Sequence, residues 1–492
     1  MRKNILYIAL LGSFLFGCED FLQEDLQGNY SNATFYQTED HAELALTGIY
    51  NAVSFSDVRN NLWVFGDVAS DDAVKGGQSG DQNDIQFIDD FTYQPSNAYL
   101  NNIWKHYYEG ITRANYLLAS LPDIDMDAER KGEIQGEALF LRSYFYFHLV
   151  NIFGEVPLKL LPPLTTDQIH VPLSSVETIY AQIDGDLETA ASLLPVSASG
   201  RVTAGASWGL LAKSRLFQGD YQGSLDAITE LESVGSYALT SLYTDNFTLG
   251  NQDNSETVFA IRHLTGMSPK LGSYLNQYFA PQPENGYFFN SPTQDFVDEF
   301  EETVEAVIDP RLDYSVGREG TKWLNGEDFV PTWSPTGFIS KKHLQPLAEV
   351  PKGTKGDGGL NYIYMRYAEV LLMKAEALNE LGRGAEALVP LNAVRQRARE
   401  SYLYDEGLAG FGAVPSGLLP AVTTTDTNQL REAIRHERRV ELGLEFHRYY
   451  DLMRYGKTAA EAALSATTDF SYEANRYFLL PLAETDINQA IN

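Results

Sequence analysis

Arg366-Tyr367-Ala368-Glu369-Val370-Leu371-Leu372-Met373-Lys374-Ala375-Glu376-Ala377-Leu378-Asn379-Glu380-Leu381-Gly382-Arg383-Gly384-Ala385-Glu386-Ala387-Leu388 is the stretch that decides the fold. Tyr367, Leu371, Lys374, Ala375, Leu378 and Leu381 recur every three or four positions, which places them on one face of a helix. The period breaks at Gly382-Arg383-Gly384 and resumes with Ala385, Leu388, Leu391, Val394 and Ala398. The pattern predicts two helices joined by a tight turn.

An earlier pair runs through Trp208, Leu211 and Arg215, turns at Gly219-Asp220-Tyr221, and resumes with Leu225, Ile228 and Leu231. The two turns share a register, because Gly219 stands six positions before Leu225 and Gly382 six before Leu388. This resembles the turn of the tetratricopeptide repeat, in which a glycine ends one helix and a small residue, here Ser224 or Ala387, lets the next pack closely. Similar pairs are read over residues 103–121 and 134–150, so the repeats are interrupted rather than tandem. In the second of these, Ala138, Leu141, Phe145, Leu149 and Ile152 form one stripe while Phe140, Tyr144 and Phe147 form another. A helix apolar on two sides is a buried one, and Gly154 followed by Pro157 stops it.

Between residues 264 and 360 the helical period fades into a stretch rich in Gly, Pro, Asn and aromatics, including Tyr287, Phe288, Phe289, Trp323 and Trp333. Its aromatic content argues against disorder, so it is read as ordered loops over a helical scaffold. A second loop, residues 402–427, precedes a charged helix read over 430–446. The fold class is therefore all-α, with tetratricopeptide-like helix pairs as scaffold and long irregular loops.

At the N-terminus, Arg2 and Lys3 precede an apolar run over residues 5–16, long enough for a signal core and too short to span a bilayer. The run closes on Leu15-Phe16-Gly17-Cys18, which resembles the bacterial lipobox, so residues 1–17 are expected to be removed and Cys18 to carry lipid. Cys18 is the single cysteine of the 492 residues, so a large core must do the work of disulfides. The formal charge of −31 becomes −33 once Arg2 and Lys3 leave with the signal (−31 − 2), which disfavours a nucleic-acid role.

From Cys18 onward the chain resembles the SusD/RagB family, surface lipoproteins that partner outer-membrane transporters in nutrient uptake by Bacteroidetes. The resemblance rests on Cys18-Glu19-Asp20-Phe21-Leu22, Ala69-Ser70-Asp71-Asp72, Trp104 with Tyr108 and Ala114-Asn115, and Phe153-Gly154-Glu155-Val156-Pro157-Leu158. It continues in Arg201-Val202-Thr203-Ala204-Gly205-Ala206, Asp309-Pro310-Arg311 and the stretch from Arg366 quoted above. The sharpest signature is Ile434-Arg435-His436-Glu437-Arg438-Arg439-Val440-Glu441-Leu442, then Glu445-Phe446-His447-Arg448 and Asp451-Leu452-Met453-Arg454, with Leu479-Leu480-Pro481-Leu482 near the end. Phe446 stands where members often carry glycine, and Ala483 where a proline is common.

The resemblance implies a SusD-like α/α superhelix anchored at the cell surface through Cys18. One side would meet a SusC-like TonB-dependent outer-membrane transporter, and the loops would hold an oligosaccharide. Members bind peptides in some cases, and catalysis belongs to other proteins of such systems, so a peptide-binding or scaffold protein is the alternative and a glycoside hydrolase a weaker one. Two regions, 18–250 and 251–492 with its loop-rich insertion 264–360, are expected to form one unit.

Apolar sugar faces stack on aromatic rings while polar groups fix the hydroxyls. Trp323 and Trp333, in polar loop contexts, are therefore the leading ligand candidates, followed by Tyr287 and Phe288; Trp104 and Trp208 are read as core. Asp71 and Asp72, near Asp67, Asp81 and Asp84, could offer oxygens to a sugar or to calcium, but the spacing is not an EF-hand and they are read as solvated or capping. No cofactor is implied. Among 67 acids no glycosidase pair stands out. The charges from Glu437 to Arg454 fall three and four apart with opposite signs and are read as structural ion pairs.

Overall fold

A computed structural model describes residues 35–163, 165, 168–350, 356–467 and 469–491. The signal segment and Cys18 lie outside the described residues. The longer helices are α1 (Glu39–Val53), α2 (Ala98–Ser120), α3 (Ala128–Phe153), α4 (Val176–Leu193), α5 (Ala204–Phe217), α6 (Tyr221–Val234), α7 (Tyr367–Glu380), α8 (Gly384–Tyr404), α9 (Thr427–Leu442) and α10 (Arg448–Tyr455). Strands are short: β1 (Ala73–Gly76), β2 (Val156–Pro157), β3 (Leu173–Ser174), β4 (Thr257–Ile261), β5 (Phe289–Pro292), β6 (Val316–Gly317), β7 (Ile339–Ser340) and β8 (Tyr362–Arg366).

Both turns read from the sequence are present. Gly219 and Gly382 follow α5 and α7 with φ of 76° and 75°, the left-handed conformation that glycine adopts without strain. Asp220 then caps α6 by accepting from the Gly223 amide at 2.9 Å. Ser224 and Ala387 are fully buried, as close helix packing requires. Helix α6 packs on α7, which joins two pairs that are far apart in sequence. Helix α3 is buried on all sides over its second half, with Gly154 at its end. Trp104 is buried and Trp208 half-buried against the same core.

The loop-rich stretch is suspended between two paired strands. Antiparallel pairing of β4 with β8 closes its base. Within it β5 pairs with β1 and β6 with β7, so its backbone is tied to the scaffold at several points. A single large apolar cluster takes in side chains from Ala42 to Phe478.

The charged helix ends earlier than its sequence suggests. Helix α9 stops at Leu442, Gly443 leaves helical geometry, and Leu444 and Phe446 adopt φ of 64° and 70°. Phe446 is held there by burial: its ring stacks on Tyr362 at 4.9 Å and its amide donates to Asp67 at 2.9 Å. The ion pairs of this signature run mostly between elements rather than along one helix. Arg366, 1% exposed, donates to Glu445 at 2.8 Å, Glu256 at 2.8 Å and Glu441 at 2.6 Å. Arg311 binds Asp309, Glu437 and Glu441; Arg397 bridges Glu256 and Glu441; Lys342 holds Glu445. Though burial opposes it, this cationic surround holds Glu441 far below the usual carboxylate range and Glu445 down to about 2.

Candidate functional site

The short helix Leu275–Phe279 buries Leu275, Asn276, Gln277 and Phe279. That leaves Tyr274 and Tyr278, four positions apart, side by side on its outer face. The chain then turns through residues 281–286, where Tyr287 donates its amide to Gln277 at 3.0 Å and Phe288 its amide to Ala280 at 3.0 Å. Only glycine fits at Gly286, because a Cβ there would stand 1.9 Å from the Ala280 carbonyl oxygen. The result is a ribbon of partly exposed rings. Tyr274 and Tyr278 lie 5.9 Å apart with a 33° tilt, and Tyr278 and Tyr287 6.4 Å apart with a 34° tilt. Buried Trp63 supports the ribbon from below, 5.9 Å from Tyr278 and stacked on Phe289 at 5.9 Å.

Polar groups flank the rings. Tyr99, at the start of α2, donates to Gln82 at 2.8 Å, and Asp84 accepts from the Ala98 amide at 3.0 Å, which stitches the 76–83 loop to that helix. Burial raises the hydroxyl pKa of Tyr99 and of Tyr278, the latter also through Tyr99, Tyr274 and Tyr287, so both stay protonated donors. The 76–83 loop also borders a cleft of about 1130 Å³ lined by Ser70, Asp71, Lys75, Asp89, Asp295 and Arg448 among others. Its lining contains no aromatic ring. Burial pushes Asp89 up to about 7 at that wall.

The expected site residues fare differently. Tyr287, 40% exposed, belongs to the ribbon. Trp323 does not present a face to solvent: it is 2% exposed, and its indole N–H donates to Glu284 at 2.8 Å. It is an anchor that fastens the turn carrying Tyr287, reached across 39 residues of chain. Trp333 is half-buried, edge-on to Trp323 at 6.0 Å and to Phe329 at 5.4 Å. Phe288 packs on the core, and its carbonyl accepts from Gly77 at 3.0 Å.

Asp71 and Asp72 are neither solvated nor capping. Asp71 takes a two-pronged grip from Arg448 at 2.7 and 2.8 Å, and Asp72 accepts from Arg439 at 2.8 Å. Asp81 pairs with Lys75 at 3.0 Å. Burial pushes Asp67 up to about 8. These carboxylates are committed to protein partners and do not converge as a calcium shell would. Glu301, His436 and Glu437 lie close enough to share an ion, but Arg395 already binds both glutamates. Tyr274, Tyr278 and Tyr99 were missed by sequence reading; the Tyr274-x-x-x-Tyr278 spacing beside Leu275 and Phe279 was the available signal.

The chain matches the family described as the SusD family over residues 249–480, and the one described as "Starch-binding associating with outer membrane" over 21–216. The two matches together span most of the chain, which belongs to the SusD-like family. Among relatives, a SusD-like protein of Formosa agariphila is 27% identical over 482 residues, covering 92% of this chain and 91% of the relative. Another, from Bacteroides ovatus, is 24% identical over 487 residues, covering 92% and 83%. The solved structure of a SusD-like carbohydrate binding protein from Bacteroides fragilis superposes with a TM-score of 0.78 at 25% identity, covering 93% of this chain and all (100%) of that one. A laminarin binding SusD-like protein superposes with a TM-score of 0.75 at 28% identity, covering 93% and 98%.

Proposed function

We propose that the protein captures an oligosaccharide on the Tyr274–Tyr278–Tyr287 ribbon at the cell surface, held by lipid on Cys18, and delivers it to a SusC-like TonB-dependent outer-membrane transporter. The observation that carries this reading is the stepped row of partly exposed rings, Tyr274, Tyr278 and Tyr287, backed by Trp63 and bordered by the polar pair Tyr99 and Gln82. Apolar sugar faces stack on such rings while hydroxyls meet the polar rim. The carbohydrate-binding and laminarin-binding structural relatives support a glycan as ligand. The family description supports the outer membrane as the place.

Calorimetric titration with a glycan panel that includes laminarin oligosaccharides tests the site. Tyr287→Ala and Tyr278→Ala should each weaken binding by about 2- to 12-fold, the equivalent of about 0.5–1.5 kcal/mol for one aromatic contact. Unchanged affinity in both variants rejects the ribbon, and a wild-type protein that binds no glycan rejects the ligand class. Affinity purification of the native outer membrane, with the transporter sought among co-purified proteins, tests delivery.

A further inference from the structure

A second pocket, of about 330 Å³, opens where the end of α3, the start of α4, the end of α5 and α10 meet the segment 472–477. That volume lies in the range of about 300–1,000 Å³ typical of small-molecule sites. Its walls are the rings of Tyr180, Phe217, Tyr450, Tyr472 and Tyr477. The rings of Tyr180 and Tyr472 are fixed through their hydroxyls, which donate to Asn151 at 3.0 Å and to the Met453 carbonyl at 3.1 Å.

Arg476 sits at this wall with its guanidinium 5.1 Å from the centre of Tyr477 and 5.8 Å from that of Tyr472. Among the described residues its guanidinium has no carboxylate within 4.0 Å and no hydrogen bond, while its backbone amide donates to the Tyr472 carbonyl at 2.9 Å. Every other described arginine has such a carboxylate except Arg399, which donates to the Leu419 carbonyl at 3.1 Å. In a chain of formal charge −31, a guanidinium held on two rings with its N–H edge unspent is set apart from the rest. The other cation at the pocket, Arg454, is spent on Glu376 and Asp451. The one acid among the lining residues, Glu177, is held at its own helix end by its own amide and Ser175, which lower its pKa, and its charge reaches the Tyr477 hydroxyl rather than pairing with Arg476. The start of α4 also brings the positive end of an 18-residue helix to the mouth.

We propose that this pocket binds a ring-shaped monocarboxylate, stacking the ring on the tyrosine walls and pairing the carboxylate with Arg476. Flat walls select a ring with an apolar face, and a charge-assisted hydrogen bond to a guanidinium selects a carboxylate over a neutral group. A uronate sugar unit and an aromatic acid share this chemistry. The pocket has no residue in common with the tyrosine ribbon, so the two sites are read by separate variants.

The test is titration of the purified full chain with glucuronate, benzoate and glucose, followed by saturation-transfer NMR. At least one of the two anions should bind, glucose at least about tenfold more weakly, and Arg476→Gln should remove about tenfold or more of the anion's affinity. Whichever anion is preferred tells a uronate source from an aromatic one. Tyr287→Ala should leave anion binding unchanged, and added salt should weaken it. Because Arg476 is exposed, its variant should melt like wild type. Equal binding of glucose, an Arg476→Gln variant with undiminished affinity, affinity indifferent to salt, or no anion binding would each overturn the proposal.

Discussion

Replacing Arg366 with methionine should destabilise the protein most at neutral pH. Methionine keeps an unbranched apolar stem but removes the guanidinium, which lies over the Tyr243 and Phe247 rings and serves Glu256, Glu441 and Glu445 at once. Arg397, Arg311 and Lys342 remain and carry part of the load. Removing one member of a buried pair typically costs about 3–5 kcal/mol. A chain of 492 residues unfolds with an entropy of roughly 1 kcal/mol/K, so the melting temperature should fall by about 3–5 °C. In the wild type the depressed pKa of Glu445, about 2 against an ordinary 4.5, gives a stabilisation fully present above pH 4.5 and lost as pH falls toward 2. Without Arg366 these carboxylates titrate higher, so they take up protons sooner and the variant's deficit should shrink between about pH 7.5 and 4.5. Differential scanning calorimetry at fixed scan rate over that range measures it, with Arg366→Lys expected in between. A melting temperature within about 1 °C of wild type at pH 7.5, or a deficit that widens as pH falls, would refute the reasoning.

Asp67 carries the opposite sign: its pKa is raised from 3.8 to about 8, so between those values the folded chain holds a proton the unfolded chain has lost, and that stabilisation fades as pH rises. Asp67→Asn keeps the acceptor for the Phe446 amide, and a turn of the Asn290 amide, whose Nδ2 donates to Asp67 at 3.0 Å in the wild type, would bring its unpartnered Oδ1 to the new NH₂ group, so the wild type's melting temperature relative to this variant should decline from pH 5 to 8 and then level; a constant difference excludes the shifted proton. Trp323→Phe should cost about 1–3 kcal/mol by stranding Glu284, and should also weaken glycan binding several-fold although the residue is buried; loss of stability with full affinity would mean the turn does not depend on this anchor. Cys18→Ala should leave binding intact and release the protein from the membrane fraction, and retention of the variant would show that something other than lipid holds it.

The scaffold was legible because its signals are local. A glycine six positions before a leucine, twice, names a turn type whatever surrounds it, and both glycines adopt the left-handed geometry that requires them. The ribbon was half legible. Tyr287 stands out by composition, but nothing near Trp323 in sequence reveals that Glu284 will take its indole hydrogen and draw it inside. Asp71 and Asp72 were misread for the same reason, since their cations Arg439 and Arg448 come from chain more than 360 residues away. Charge partners at that separation are set by the finished fold and leave no periodic trace. The segment boundaries proposed at residue 250 rest on sequence reading.

The lattice around Arg366 and Glu441 behaves like a combination lock. Its tumblers arrive on β8, α8, α9, Glu256 just before β4, Glu445 just after α9, and the segments holding Asp309, Arg311 and Lys342. While these pieces are apart, each charge rests comfortably in water. Sliding α9 by one residue would swing Glu441 about 100° around the helix and take one carboxylate from each of three buried cations, Arg311, Arg366 and Arg397. No half-closed state is therefore comfortable: the chain either seats every charge together or keeps them all wet. The loop-rich stretch springs from β4 and returns through β8, so the tyrosine ribbon is mounted on the hinge plate of that lock. A chain that failed to engage it would lose the tyrosine ribbon along with its core, giving quality control a single lesion to recognise.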